Sequence, residues 1–219
     1  MPLFNEHKQL PETISLLSQA GADELIFVDG GSTDGSQDLL QESGLHWVAT
    51  EAGRARQMNA GSSLCKSDII LFVHVDTVIC SSHISAVKQA MSDSEYAGGR
   101  FDVSLSGKHP AFRIIERLIN MRSRMSRIST GDQCQFVRRS VFDALGGFPD
   151  LPLMEDVAFS RLLKREGKLA CLKERVITSS RRWEQHGIMR TVLMMWKMRL
   201  LYWLGIPADR LALMYRDAR

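Results

Sequence analysis

Apolar and polar residues follow one another along the chain in blocks that predict strands and helices in turn. The longest apolar block covers residues 69–75, is interrupted only by His74, and ends at Asp76. A run of this kind is typical of a strand buried on both faces of a parallel sheet. Residues 24–28 repeat the arrangement and end at Asp29. Because ligands bind at the carboxyl ends of such strands, we expect both carboxylates to lie at a ligand-binding edge.

The segments between and after these strands show helical periodicity. Pro11 at a first helical position, apolar Ile14 and Leu17, and Gly21 predict a first helix with a defined start and stop. Further helices are predicted at residues 36–44, 53–61, 81–91, 111–127, 155–165 and 188–204, and further strands at 45–49, 96–105, 134–137 and 168–172. Strands that alternate with helices are typical of an α/β domain, so we predict a mostly parallel sheet flanked by helices, with additional C-terminal helices.

The last long helix sets the predicted domain boundary. Its apolar run, residues 192–206, contains two basic residues and is shorter than the roughly 18 residues that span a bilayer. We therefore assign residues 1–187 to one domain and residues 188–219 to a helical appendage. The sequence leaves three interpretations open for residues 188–206, which either pack on the domain, form a homodimer face or lie on a membrane surface.

Composition and charge exclude several classes of protein. The net charge of +3 and the scattered basic residues give no electrostatic footprint for nucleic acid. The four cysteines are widely spaced without a C-x-x-C pair, which disfavours a zinc site and a disulfide framework. No signal peptide is recognised, so we predict a cytoplasmic protein, with the inner face of the membrane as a further location.

Carboxylates and arginines mark the predicted chemistry. Asp29, Asp76 and the pair formed by Glu155 and Asp156 together suggest one acidic pocket that a cation would balance. Arg54 and Arg56 lie near a helix N-terminus, where cations are unfavourable unless an anion such as phosphate binds there too. A nucleoside diphosphate held beside carboxylates through a divalent ion fits both features, and Asp76 is the preferred metal ligand.

Each carboxylate also has a purely structural interpretation. Asp76 could cap the helix that follows, and Asp29 could stabilise the Gly-rich turn after its strand. Asp156 could be a first-turn charge that interacts favourably with its helix dipole. These alternatives stay open on spacing alone.

Several motifs occur together along the chain, namely Pro2-x-x-Asn5-Glu6, the V-D-G-G-S-T-D-G-S stretch from Val28, His74-Val75-Asp76, Glu155-Asp156 and Arg181-Arg182-Trp183. In this combination the chain resembles the family 2 glycosyltransferases of GT-A fold. Further matches lie at residues 53–61, 98–102, 131–133, 152–156 and 180–184. These resemble the small bacterial subgroup of selenodomain-associated or arsenosugar-type glycosyltransferases.

The resemblance implies a role for each matching position. Glu6 and Asp29 would hold the ribose and base of a nucleotide sugar, usually a uridine one. Asp76 matches the last Asp of the metal-binding D-x-D motif, which contacts Mg²⁺ or Mn²⁺ and the diphosphate. Asp156 matches the catalytic base, with Glu155 beside it.

The remaining motifs imply contacts with the diphosphate and the acceptor. Arg182 and Trp183 resemble the R-W part of a Q-x-x-R-W element that lies over both. The subgroup motifs place four residues on the acceptor side, namely Arg100, Asp102, Asp132 and Gln133. The resemblance therefore implies an inverting, metal-assisted glycosyltransferase that moves a sugar from a nucleotide-diphosphate sugar to an acceptor hydroxyl.

Three departures from the family pattern keep two rival functions open. His74 stands where the first D-x-D carboxylate would be, the Gln of Q-x-x-R-W is absent, and the first strand is short. The rivals are a nucleotidyltransferase, which would release pyrophosphate, and a nucleotide-sugar-binding scaffold that has lost catalysis. The retained Glu155-Asp156 and Arg182-Trp183 pairs favour a transferase.

Overall fold

The first three strands of the chain form a parallel sheet. In the computed structural model, which describes residues 1–217 and their side chains up to Tyr215, these strands are β1 (Pro2–Leu3), β2 (Ile26–Asp29) and β3 (His46–Ala49). Strand β2 pairs with β1 on one side and with β3 on the other, both in parallel. The connections are helix α1 (Leu10–Ser18) and helix α2 (Ser36–Ser43), and Gly44 ends α2 in the left-handed region. These elements agree with the strand and helix predictions for this part of the chain.

A second sheet of five strands is mixed. It contains β4 (Ile69–Leu71), β5 (Thr77–Val78), β6 (Tyr96–Leu105), β7 (Phe136–Arg138) and β8 (Lys168–Thr178). Their order across the sheet is β4-β7-β6-β8-β5. Strands β6 and β8 are parallel, whereas the other three pairs are antiparallel.

Helices connect and cover these strands, which confirms the α/β class. They are α3 (Arg54–Leu64), α4 (Ser81–Met91), α5 (Pro110–Ser126), α6 (Arg139–Ala144), α7 (Glu155–Leu163), α8 (Arg181–His186), α9 (Ile188–Trp203) and α10 (Ala208–Asp217). None of the helices within residues 1–217 has the length and apolar content that crossing a bilayer requires.

Two strand predictions were wrong in extent. The apolar block 69–75 is not one strand, because β4 ends at Leu71 and the chain turns where the Thr77 amide donates to the His74 carbonyl. The second wrong prediction concerns β8, which is longer than the predicted strand at residues 168–172. It follows β6 in parallel to Thr178, and a register shift between Cys171 and Arg175 accommodates its exposed, charged middle.

A pair of glycines allows β6 to pass between its two neighbours. A Cβ atom on Gly98 would overlap the Phe136 carbonyl oxygen of β7, and one on Gly99 would overlap the Ala170 carbonyl oxygen of β8. The glycines therefore permit the close backbone contacts at the centre of this sheet, and Phe101 follows them into the main core.

A cleft separates the two sheets beside β1. It has a volume of about 510 Å³ and is lined by apolar side chains of β2, β4, α1, α3 and α4. The Met1 ammonium lies at its edge and donates to the Ile26 carbonyl oxygen at 2.7 Å. Burial lowers the pKa of this amino group to about 5. Strand β1 pairs only with Val28 and Asp29 of β2, and both Ile26 of β2 and the residues of β4 line this cleft.

Candidate active site

A second cleft, of about 340 Å³, lies where the loops after β1 and β4, the turn before β7 and the start of α7 meet the last helices. Polar and charged side chains from distant parts of the chain line it, including Glu6, Arg54, His74, Asp76, Asp132, Glu155, Asp156, Arg181, Arg182 and Gln185. The apolar part of the lining includes Leu105, Leu153, Met154, Trp183, Met195 and Met198. We call this the acidic cleft, because five carboxylates converge on it.

Asp76 lies in the turn between β4 and β5. The turn is closed by the Thr77 amide, which donates to the His74 carbonyl at 3.1 Å. The Thr77 hydroxyl donates to one Asp76 carboxylate oxygen at 3.4 Å, which is a long hydrogen bond. Burial raises the pKa of Asp76, and the charge of Arg54 partly opposes this shift. A carboxylate at the cleft with so few donors is suited to a cation or another positive ligand.

His74 occupies the first position of the family motif and remains a neutral side chain. Burial and the nearby positive charge of Arg54 lower its pKa to about 3. Its ring packs against Gly131, where an added Cβ atom would overlap the imidazole. His74 therefore supplies no negative charge, and its contact with Gly131 holds the turn of Asp76 against the loop that carries Asp132.

Glu155 and Asp156 begin helix α7. The Asp156 carboxylate accepts from the Gly131 amide at 2.8 Å through one oxygen and from the Val157 amide at 2.6 Å through the other. Burial raises the pKa of both carboxyls, that of Glu155 to about 7, and the adjacent Asp156 adds to the shift of Glu155. Two buried neighbours of like charge resist joint ionisation, so this pair can hold a proton near neutral pH.

Asp132 belongs to this acidic group rather than to a separate acceptor surface. It lies in the 3₁₀ turn Gly131–Gln133, and its charge raises the pKa of Asp76. One of its carboxylate oxygens is buried and has no hydrogen-bond partner among the described residues. An unsatisfied buried oxygen of this kind needs a ligand, because its desolvation is otherwise uncompensated.

Positive charge enters the cleft from two sides. Arg54, at the start of α3, acts electrostatically on Glu6, Asp76, Glu155 and Asp156. On the other side, the two arginines that begin α8, Arg181 and Arg182, line the cleft. These cations offset part of the acidic charge and leave room for an anionic ligand between the two sides.

Arg182 and Trp183, the R-W pair, contact different parts of the structure. Arg182 donates to the Tyr215 hydroxyl, and its guanidinium carbon lies 5.4 Å from the centre of the Tyr215 ring. Trp183 is buried with Leu105 and Phe112 in a small apolar cluster under the cleft. Trp183 therefore anchors α8, while Arg182 connects it to the last helix.

Two predicted nucleotide-binding residues are not brought into the acidic cleft. Asp29 is fully buried, and its carboxylate accepts from the Gly31 and Ser32 amides at 2.8 Å and from the Gln37 side chain at 2.6 Å. Arg56 points outward and pairs with two exposed carboxylates, Glu51 and Asp150. The turn interpretation of Asp29 thus describes its contacts in this structure.

Three of the four predicted acceptor-side residues also lie elsewhere. Arg100 and Asp102 form a buried ion pair on β6, which Arg124 of α5 joins at 2.6 Å from Asp102. Gln133 is fully buried and donates to the Phe101 carbonyl. Their charges and amide are satisfied inside the protein, and of the four only Asp132 lines the cleft.

Sequence reasoning missed the contribution of the C-terminal helices. Met195, Met198 and Arg199 of α9 line the cleft, as does Tyr215 of α10. The predicted appendage therefore forms one wall of the candidate site. The only signal in the sequence was the apolar character of all sides of α9, which does not identify the face that packs inward.

The carboxylates offer a partial site for a divalent cation. Asp76 and Asp132 are close enough for one charge to affect the other, and the buried Asp132 oxygen has no partner among residues 1–215. Oxygen ligands of this kind suit Mg²⁺ or Mn²⁺. Within the described part of the chain, however, no three acidic, histidine or cysteine side chains cluster as a complete metal site. The residues fit an ion that is held jointly by the protein and a diphosphate.

Comparison with solved structures identifies the fold. The chain is similar to a mannosyltransferase from Pyrobaculum calidifontis in complex with GDP-Man and Mn²⁺, with a TM-score of 0.62, 17% identity and coverage of 80% of this chain and 54% of that one. It is also similar to TarS from S. aureus in complex with UDP-GlcNAc, with a TM-score of 0.61, 17% identity and coverage of 81% and 56%. These similarities establish the GT-A glycosyltransferase fold.

The family assignment follows from the sequence comparison. The model of the family described as glycosyl transferase family 2 matches residues 1–146, so the chain belongs to that family. A search of curated protein sequences finds no significant match. The chain spans little more than half the length of the structures described above.

Proposed function

We propose that the protein transfers a sugar from a nucleotide-diphosphate sugar to an acceptor hydroxyl, with inversion at the anomeric carbon. The observation that carries this proposal is the convergence of Asp76, Asp132 and the Glu155–Asp156 pair with Arg54 in one cleft. Membership of glycosyl transferase family 2 supports the reaction class. The nucleotide sugars in the related structures, GDP-Man and UDP-GlcNAc, support the donor class.

The diphosphate of the donor would bind between the arginines and the carboxylates. Arg54, Arg181 and Arg182 supply positive charge on two sides of the cleft. Glu6, which is half-buried at the same cleft, is proposed to contact the nucleoside, of uridine type. Asp29 would contribute indirectly by holding the Gly-rich turn through its hydrogen bonds to backbone amides.

Mg²⁺ or Mn²⁺ would be held by Asp76 and Asp132 together with diphosphate oxygens. A bound divalent cation neutralises charge on the departing diphosphate. His74 stays neutral beside this position, so the protein brings fewer charges than a complete D-x-D motif. The arginines at the cleft compensate by stabilising negative charge on the leaving group.

The chemical step is a single displacement in which Asp156 acts as the base. The acceptor oxygen forms a bond to the anomeric carbon as the bond from that carbon to the diphosphate oxygen breaks. The electron pair leaves with the diphosphate, and the acceptor proton passes to the Asp156 carboxylate. The Gly131 and Val157 amides orient this carboxylate, and burial raises its pKa toward the range useful for a base.

The acceptor side of the proposal involves the C-terminal helices. Met195 and Met198 give this wall of the cleft an apolar surface beside the acidic group. We extend the proposal to a contact of residues 188–206 outside the domain, with a membrane surface or a second copy, because the outward side of α9 remains exposed.

A panel of labelled nucleotide sugars, incubated with and without Mn²⁺, tests the proposal. We expect slow release of the nucleoside diphosphate from one donor, because water can replace the missing acceptor. Release of pyrophosphate would instead support a nucleotidyltransferase, and binding without turnover would support a scaffold.

The base assignment has its own variant. Asp156→Asn should lower turnover by about 10²-fold or more, the usual cost of losing a general base. Asp68→Asn, at an exposed carboxylate outside the cleft, is the matched control and should leave turnover unchanged. Turnover of Asp156→Asn within about tenfold of the parent protein would contradict the assignment.

A further inference from the structure

Exposed apolar side chains concentrate on two helices. On α5 they form a row at intervals of three and four residues, with Ile114, Leu118, Met121 and Met125, of which Met125 is 81% exposed. This spacing places all four on one side of the helix. The row lies on the opposite edge of α5 from its buried residues and contacts no other described element as part of a core cluster.

Helix α9 carries a similar and longer row. Its members are Met189, Leu193, Trp196, Leu200 and Trp203, again at intervals of three and four residues. Trp196 is 63% exposed and Trp203 is 72% exposed, which is unusual for the largest apolar side chain. The inward side of the same helix packs on the domain through Val192 and Met195.

The two rows face the same side of the molecule. The first half of α5 contributes Ile115 to the cluster that α9 joins through Ile188 and Val192 near its start. Near the other ends, the charges of Arg122 and Arg199 interact. The helices therefore run in the same direction. When both are projected down their axes with these contacts placed between them, the two rows lie on one surface. We call this surface the α5–α9 face.

Basic residues flank both rows. The two helices contain seven of them, Arg113, Arg117, Arg122, Arg124, Arg190, Lys197 and Arg199, and a single acidic residue, Glu116, which is buried. Since the whole chain has a net charge of only +3, the rest of it is net negative. Arg113 and Arg124 have carboxylate partners, so Arg117 and Lys197, both exposed beside the rows, carry the clearest surface charge.

We propose that the α5–α9 face binds the surface of an anionic lipid bilayer. Apolar rows bordered by arginine and lysine are suited to the boundary between acyl chains and headgroups, where long basic side chains extend toward phosphate. Tryptophan is favoured at the same depth. A two-fold contact between two copies would instead bring the same positive surfaces together, which opposes dimerisation through this face.

Binding to the bilayer would place the acidic cleft close to the lipid surface. Helix α9 contributes Met195 and Met198 to the cleft, and the exposed row occupies its outward side. The proposal does not depend on glycosyl transfer, because it concerns only the outer surface of these helices. The two proposals can therefore fail separately.

Flotation of the full chain with lipid vesicles tests the proposal. We expect binding to vesicles that contain phosphatidylglycerol, weak binding to phosphatidylcholine alone, and loss of binding at high salt because screening removes the electrostatic attraction. Brominated acyl chains should quench Trp196 and Trp203, and the double substitution Trp196→Phe and Trp203→Phe should remove that quenching.

Paired variants separate the face from general effects of charge or hydrophobicity. Lys197→Glu should weaken vesicle binding by about fivefold or more, the effect of one basic residue near an anionic surface. Lys66→Glu, at an exposed lysine in the loop between α3 and β4, should have no such effect. Leu193→Glu should abolish binding, whereas Leu64→Glu, at an exposed leucine of α3, should retain it. Circular dichroism melting curves check that each variant is folded.

Three results would overturn the proposal. They are no binding to either vesicle type, binding that is independent of lipid charge, and a concentration-dependent dimer that Leu193→Glu dissociates in sedimentation velocity. Retained binding by folded Lys197→Glu and Leu193→Glu would also contradict it, because the α5–α9 face would then not be the contact.

Discussion

Two carboxylates that follow strands of different sheets have opposite surroundings. Asp29 follows β2 and accepts four hydrogen bonds, from the Gly31 and Ser32 amides and from the side chains of Ser32 and Gln37. Asp76 follows β4 and accepts one long hydrogen bond from Thr77. The sequence presents both as an apolar run that ends in Asp. The structure uses the first to hold a turn and leaves the second available to a ligand.

The comparison teaches that the position of a carboxylate at a strand end does not define its role. What differs is the number of donors that the following turn provides. After Asp29 the Gly-rich turn directs backbone amides at the carboxylate, whereas after Asp76 the Thr77 amide donates to the His74 carbonyl and the chain pairs with β8. Desolvation raises the pKa of Asp76, and a carboxylate with a single long hydrogen bond gains most from a bound cation.

The largest expected effect comes from Asp76→Asn. We expect turnover to fall by about 10²- to 10³-fold, the usual cost of losing one group that stabilises transition-state charge. The melting temperature should stay close to that of the parent protein, because Asp76 is exposed and accepts only one long hydrogen bond. Steady-state assays and thermal unfolding measure the two quantities, and a large loss of stability would contradict the assignment of Asp76 to ligand binding.

Asp29→Ala should show the reverse pattern. We expect the free energy of unfolding to fall by about 2–3 kcal/mol, because the Gly31, Ser32 and Gln37 donors lose a charged, fully buried acceptor. Denaturant titration measures this change, with the exposed Asp68→Ala as a control expected within about 0.5 kcal/mol of the parent protein. If Asp29→Ala were fully stable but inactive, Asp29 would bind the donor directly.

Gly131→Ala tests the contact between the two loops that form the acidic cleft. The added methyl group would overlap the His74 ring, so either His74 or the 131–133 turn has to move. We expect a loss of about 1–3 kcal/mol in stability, typical of overpacking, and a parallel loss of activity as Asp132 and Asp156 shift. Combining the substitution with His74→Ala should restore part of the stability.

The smallest effect expected is a pH dependence of stability that originates at Glu155. Its pKa is raised to about 7, so between the ordinary value of 4.5 and about 7 the folded state binds more protons than the unfolded state. Stability should therefore fall as pH rises across this window. Glu155→Gln should flatten the curve, while Glu42→Gln, at an exposed site of α2, should not. An unchanged slope in Glu155→Gln would contradict the shift.

The sequence predicts the local elements of this fold well, because their signals are local. Helical periodicity and Gly44 define α2 correctly, and the apolar run through Gly98 and Gly99 defines β6. The split of the block 69–75 was not predictable from its composition, since it depends on pairing with β7 and β8 far along the chain. The charged half of β8 was not predicted for the same reason, because it forms a strand only through its pairing with the distant β6.

The candidate site was predicted in part. Asp76, Glu155, Asp156, Arg54 and the R-W pair share one cleft, as expected from motifs at strand ends and a helix start. Residues that depend on tertiary packing were assigned less well, because a motif gives spacing and not direction. Asp132 was predicted on the acceptor side and lines the acidic cleft. Arg100 and Asp102 were predicted there too, but they form a buried ion pair outside the cleft.

The cleft between β2 and β4 has a practical consequence for anyone who attaches residues ahead of Met1. The buried ammonium, whose pKa burial lowers to about 5, would become a neutral peptide nitrogen. Added residues would then enter the cleft that β2 and β4 line. Even a short purification tag at this end would therefore act as a structural substitution.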